Sequence, residues 1–164
     1  MTAVSANNMA QSIQAGVRDA LASATVDSEA VFDRVVVTTS LADARDVLLS
    51  DRSVAIILFD NLHQQDDTDL KIACLLQLRL ILACKASSDS ERVDHALLLA
   101  CIAKNVIEVD PPAGAMAISG QSGRDFHTPL KWGDVKLNIN DRDPWGVCEL
   151  PLTIAFQVES RSAH

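Results

Sequence analysis

The stretch Leu70-Lys71-Ile72-Ala73-Cys74-Leu75-Leu76-Gln77-Leu78-Arg79-Leu80-Ile81-Leu82-Ala83-Cys84-Lys85 decides how the rest of the chain is read. Ile72, Cys74, Leu76, Leu78, Leu80, Leu82 and Cys84 fall on one side of an extended chain. Lys71, Gln77, Arg79 and Lys85 fall on the other, with Ala73, Leu75, Ile81 and Ala83 between them. A period of two sustained this long specifies a long strand. Leucine is a good helix former, so a helix is the competing reading. A helix would, however, set Gln77 and Arg79 on faces crowded with leucines.

Working outward, Ser88-Asp89-Ser90-Glu91 is a capping box, and it opens a helix expected to run from Glu91 to Ile107. Val93, Leu97, Ala100, Cys101 and Lys104 share one side of it, and Leu98, Leu99 and Ile102 widen the apolar face. The expectation is a nearly buried helix, packed on a sheet and stopped by Pro111-Pro112. Upstream, Val54 to Phe59 is a continuous apolar run that reads as a buried strand. Asn61 to Asp69 is polar and acidic and reads as an exposed loop. Val31 to Thr38 is valine-rich and reads as a strand, and Ser40-Leu41-Ala42-Asp43 starts a short helix over Leu41 to Leu49. Met9, Ile13, Val17 and Leu21 recur every four residues and predict an N-terminal helix from Asn8 to Ala24, with Ser5, Asn7 and Asn8 as possible caps.

Downstream, 111–132 reads as a long loop holding Gly114, Gly120, Gly123 and Pro129, with a possible short strand over Ala115 to Ser119. Val135 to Asn140 alternates as a half-buried strand. Asp141 to Gly146 has the composition of a turn, and Val147 to Glu159 forms a last long strand. Pro151 on its outward side predicts an edge position or a bulge. The expected architecture is therefore α+β. It is one domain over 1–164, with a single mixed, mainly antiparallel sheet of four to five strands packed by two main helices, the first within 1–30.

Composition narrows the function classes. The chain has 164 residues, enough for one substantial core, and 48% of them are apolar. Aromatics are only 4%, with no Tyr, so the core must be aliphatic. The net charge is −8 and the 14 Lys and Arg are scattered, which argues against a basic nucleic-acid-binding face. Cys74, Cys84, Cys101 and Cys148 lie in apolar segments without a C-x-x-C pair, the pattern of reduced core thiols. Met1 to Gly16 is polar and interrupted, unlike a signal peptide. The apolar run Ala96 to Ala103 is too short to span a bilayer, so no membrane partner is expected.

Candidate chemistry is sparse. His63 stands near Asp66, Asp67 and Asp69, but no calcium-loop or H-x-x-x-H spacing is present, and a solvated acidic loop is the simpler reading. Cys148, His127 and Asp125 can be drawn as a nucleophile, base and orienter. Cys148 lies on the inward side of a strand, where a thiol is inert. Ser119-Gly120-Gln121-Ser122-Gly123-Arg124 is glycine-spaced but lacks the Lys-Ser/Thr of a phosphate loop. Arg124, Asp125, Lys131, Trp132 and Trp145 are candidate interface residues, since Trp and Arg favour interface centres. Equally, Trp132 and Trp145 could cover the ends of the sheet. No catalytic residue, metal or cofactor is expected.

A helix opening the chain and a long strand leading into a capped helix set the pattern. Trp132-Gly133-Asp134-Val135-Lys136-Leu137 and then Trp145-Gly146-Val147-Cys148-Glu149-Leu150-Pro151-Leu152-Thr153-Ile154-Ala155-Phe156 complete it. This pattern resembles the tail-terminator and tail-completion proteins of long-tailed bacteriophages. The resemblance implies a virion protein assembled in the host cytoplasm. It would form a homomeric ring, usually six-fold, that caps the tail tube, stops its polymerisation and meets the head connector. DNA would pass through the lumen without specific binding. Asn61 to Asp69 and Pro111 to Trp132 are then expected to reach the tube or the connector. Competing readings are another neck or tail component (a head-completion or tube-initiating protein), a small cytosolic enzyme or ligand-binding domain, and an acidic mimic of nucleic acid. The inward strand positions are almost all Leu, Ile, Val or Cys, which counts against a pocket.

Overall fold

A computed structural model describes residues 5–39, 53–65, 71–86, 88–116, 129–139 and 145–159. Two helices are described, α1 (Ala6–Ala22) and α2 (Asp89–Val109). The strands are β1 (Thr25–Val26), β2 (Glu29–Ala30), β3 (Arg34–Thr38), β4 (Ser53–Gln65), β5 (Lys71–Lys85), β6 (Leu130–Trp132), β7 (Lys136–Ile139) and β8 (Trp145–Glu159).

The class is α+β with a mixed sheet. The sheet holds six strands rather than four or five, in the order β3-β4-β5-β8-β6, with β7 also on β8. Among the described strands of this sheet, only the β3–β4 pair is parallel. A parallel pair cannot be closed by a hairpin. The helix expected between these two strands, Leu41 to Leu49, lies outside the described residues. A separate two-stranded hairpin, β1–β2, follows α1 where the sequence showed no strand. Asp27 and Ser28 both have positive φ (53° and 69°), the requirement of a tight two-residue hairpin turn.

The leucine-rich stretch is a strand, as its period of two predicts. β5 pairs with β8 from Lys71↔Glu159 to Lys85↔Trp145 and with β4 on its other side. Cys74, Leu76, Leu78, Leu80, Leu82 and Cys84 meet Cys148, Leu150, Leu152, Ile154, Phe156 and Val158 on one face, which forms the main core. α1 adds Ala6, Ala10, Ile13, Val17, Ala20 and Leu21 to it. On the opposite face, Val54, Ile56 and Leu58 form a small buried cluster, and Ala73, Leu75 and Ala155 another.

Both helices start two residues earlier than Asn8 and Glu91, directly after the caps Ser5 and Ser88. The Ser5 hydroxyl accepts from the Asn8 N–H at 3.1 Å, and the Ser88 hydroxyl from the Glu91 N–H at 3.3 Å. The face that α2 buries is not its most hydrophobic one. Ala96, Leu99, Ala100, Ala103 and Ile107 point inward, whereas Leu97, Leu98 and Cys101 are exposed. Small residues let the helix sit close to β8. The Cys148 thiol donates to the Ala96 carbonyl at 3.2 Å, and a Cβ on Gly146 would meet the Arg92 carbonyl oxygen at 2.5 Å. Depth of approach, not bulk, selects the buried side, so the expectation of a nearly buried helix is corrected.

Two further expectations change. Asn61 to Gln65 continues β4 rather than starting a loop. A bulge between Phe59 and Asn61 resets the alternation, so Leu62 again packs against the main core. Pro151 lies neither on an edge nor at a bulge. β8 is paired with β5 along its whole length, and Pro151 falls where β7 ends and β6 has not begun. Its carbonyl accepts from the Gly133 N–H at 2.9 Å, so the missing N–H faces the break between those two strands. The 111–132 loop likewise ends in strand β6. Ala115 makes an isolated bridge to Phe156, and residues 117–128 lie outside the described residues.

Gly146→Ala places a methyl group against the α2 backbone and is expected to cost about 1–3 kcal/mol, the usual range for overpacking. Urea unfolding followed by circular dichroism measures it. An unchanged midpoint would show that α2 does not depend on this close approach.

Candidate functional site

Of the residues singled out from sequence, the described ones do not gather in one place. Asp66, Asp67, Asp69, Arg124 and Asp125 lie outside the described residues, as does His127. His63 is exposed on the second half of β4. Lys131 and Trp132 are neighbours in β6 and therefore project to opposite faces of the sheet. Trp145 begins β8, seven residues before the partner of Trp132, a separation of about 23 Å along an extended strand. The described members of the candidate interface set, Lys131, Trp132 and Trp145, are therefore spread over two faces and along the length of β8.

Trp132 itself is a joint between sheet and helix. It is half-buried and packs against the main core. Its indole N–H donates to a Glu108 carboxylate oxygen at 2.8 Å, and the Lys104 ammonium stands 6.0 Å from the ring centroid. Two residues one helical turn apart on α2 thereby grip one ring on β6.

A polar group that sequence reasoning passed over lies on the opposite face of the sheet. The Arg79 guanidinium on β5 pairs with Glu149 on β8 at 2.9 Å and lies 3.7 Å from Asp60, the residue extruded by the β4 bulge. One side chain therefore ties together the three longest strands. Its signal was the isolated arginine inside a leucine strand. All three partners are about a third to a half exposed, so the stabilisation is modest.

Three of the four thiols are core groups, whereas Cys101, expected in the core, is not. Cys74, Cys84 and Cys148 are buried and Cys101 is exposed. Burial pushes the Cys74 thiol up to about 11, and burial reinforced by neighbouring Cys84 pushes Cys148 up to about 12. A thiol held protonated is a poor nucleophile, so the drawn arrangement of Cys148, His127 and Asp125 is not supported at its first member.

A groove of about 340 Å³ lies between the end of α1 and the chain after α2, lined by Gly16, Asp19, Ser23, Asp110, Pro111 and Pro112 among others. Among the described residues, no three metal-ligating side chains gather, and no helix is long and apolar enough to cross a membrane. No protein-family model matches the chain, and no curated protein matches it in sequence.

The thiols give a pH prediction. A folded-state pKa raised above the ordinary value near 9 means that the unfolded chain loses the proton first as pH rises. Stability from Cys74 and Cys148 is thus fully present below about pH 9 and is lost progressively as pH approaches 11 to 12. Cys148→Ala should flatten this alkaline decline in urea midpoints measured across that range. An equally steep decline in the variant would assign the loss to other groups.

Proposed function

We propose that the chain is a structural virion protein that assembles head to tail with copies of itself into a ring, expected to be six-fold. In this reading it caps the phage tail tube, ends tube polymerisation and meets the head connector, with DNA passing through the lumen. It would be assembled in the host cytoplasm. The observation that carries the reading is the unlikeness of the two sheet edges. β3 and β7 each have a described strand on one side only. Following the pairings across the sheet, β3 and β4 run one way, β5 the other, β8 with β4, and β7 opposite to β8. β7 is therefore antiparallel to β3.

A rotation about an axis along the strands sets β7 of one copy beside β3 of the next in antiparallel pairing, continuing the pattern of β4 and β5. Because the edges differ, the contact is head to tail, and such contacts close into rings or run on as filaments. Val35 to Val37 offers a short apolar edge without proline or lysine, and Leu137 on β7 is 42% exposed. The charge of −8 supports a wall that repels passing phosphate rather than gripping it. The aliphatic filling of the inward strand positions supports a mechanical rather than a pocket-based role.

Native mass spectrometry with negative-stain imaging tests this. The unmodified chain should give closed rings, and Leu137→Asp should give monomers with an unchanged circular dichroism spectrum. A chain that stays monomeric at its highest soluble concentration and fails to decorate tube ends would overturn the reading.

A further inference from the structure

The edge strands β7 and β3 are nearly equal in length, and that limits how they fit together. β7 spans Lys136–Ile139, and β3, Arg34–Thr38, is one residue longer. In antiparallel pairing two registers bring all four residues of β7 opposite residues of β3. One sets Leu137 opposite Val36, and the other sets Leu137 opposite Val37. Any further slip carries part of β7 beyond the end of β3.

The two faces of the sheet decide between these registers. Val35 and Val37 stand opposite Ala55 and Ile57 of β4 and pack against the main core. Val36 stands opposite Ile56, which belongs to the cluster on the other face. Leu137 stands opposite Cys148, a member of the main core, so it projects from the helix-bearing face. A rotation about an axis along the strands keeps that face on the same side of the sheet in every copy. Residues directly opposite one another in a ladder share a face, so Leu137 is matched with Val37 and not with Val36. The remaining register of the same parity, Leu137 opposite Val35, sets Lys136 opposite Val36 and carries Ile139 past Arg34, out of β3. Pairing with Val37 sets Lys136 opposite Thr38 instead.

We propose that copies of the chain join with Val37 of one copy opposite Leu137 of the next, Thr38 opposite Lys136 and Val35 opposite Ile139. Leu137, 42% exposed in the single chain, is then covered by a valine, and the apolar face of the sheet continues from copy to copy. Main-chain hydrogen bonds of the added strand supply affinity, and the matched side chains supply register. This register rests on the ring reading and names which residues meet within it.

Disulfide trapping in the full chain tests it. Val37→Cys and Leu137→Cys are combined with Cys101→Ser, since Cys101 is the exposed native thiol. Opposite residues have Cα atoms about 4.5–5.5 Å apart, within the span of a disulfide. Within one copy the two positions are separated by four strand spacings, about 19 Å, so no bond closes inside a chain. After oxidation with copper–phenanthroline, denaturing gels without reductant should show dimers, trimers and higher linked species. Val36→Cys with Leu137→Cys should leave monomers. A charge pair at Thr38 gives a second measurement that needs no cysteine. Thr38→Glu should lower the concentration at which rings dissociate by about two- to fivefold, and Thr38→Lys should raise it by a similar factor. An effect of net charge alone would run the other way, because the chain carries −8. Rings that link through Val36, or that are strengthened by Thr38→Lys, overturn the register and leave the ring reading standing. An unmodified chain that stays monomeric in native mass spectrometry overturns both.

Discussion

Everything in this molecule is referred to the pairing of β5 with β8. Fifteen consecutive residue pairs run from Lys71↔Glu159 to Lys85↔Trp145 without a shift. Because side chains alternate with period two, a slip of one residue would turn Leu76, Leu78, Leu80 and Leu82 away from the core and bring Gln77 and Arg79 into it. The penalty is the burial of unpaired polar groups together with exposure of a leucine row, so the register is strongly specified. Once it is fixed, Gly146 and Cys148 stand where α2 must cross. Only that pairing presents to the helix a position without a side chain followed by one with a small side chain. The seat of α2 is thus a consequence of strand register and not a separate preference of the helix.

The irregularities of the sheet fall on one row across it. In β4 the row holds the bulge at Asp60, opposite Gln77 and Leu78 of β5, and Arg79 is the next residue. In β8 it holds Pro151, opposite Arg79, and beyond it lies the break between β7 and β6 at Gly133. A Cβ on Gly133 would meet the Pro151 ring at 2.9 Å, so a residue with no side chain is what lets the chain cross there. Bulges bend strands and increase their twist, and a proline opposite a strand break leaves no unmet ladder donor. Three departures that look independent along the chain therefore form a single line of bending. Arg79, with Glu149 and Asp60, spans it.

The sequence was legible where one periodicity dominated. β5, β8, β7 and both helices were readable because their patterns are long, and because Ser5 and Ser88 sit where helix N–H groups need acceptors. Legibility failed where tertiary geometry overrode pattern. The polar half of β4 reads as a loop because the bulge breaks the alternation at Asp60, and no rule applied within one strand anticipates a reset imposed by its neighbour. The inward face of α2 was misassigned because hydrophobicity ranks Leu97 and Leu98 above Ala96 and Ala100, whereas the close approach to Gly146 rewards small residues. A proline lacks a donor, so within its own strand Pro151 reads as an edge position or a bulge. Only the position of β6 relative to β7 shows that no donor is wanted there. The candidate interface residues were chosen by type alone, and type cannot say that Lys131 and Trp132 point to opposite faces.

The same override links fold and proposed function. A helix drawn onto its sheet by alanines and a glycine must turn its leucines outward. The leucines of α2 are therefore not a failure of core design, because the helix backbone approaches Gly146 so closely that no side chain fits there. In the proposed ring the sheet edges would be used, since Val35 to Val37 of β3 form a short apolar stretch without proline or lysine. Edges and helix face lie in different directions from the core, so contacts along the sheet and contacts over α2 can be made at once.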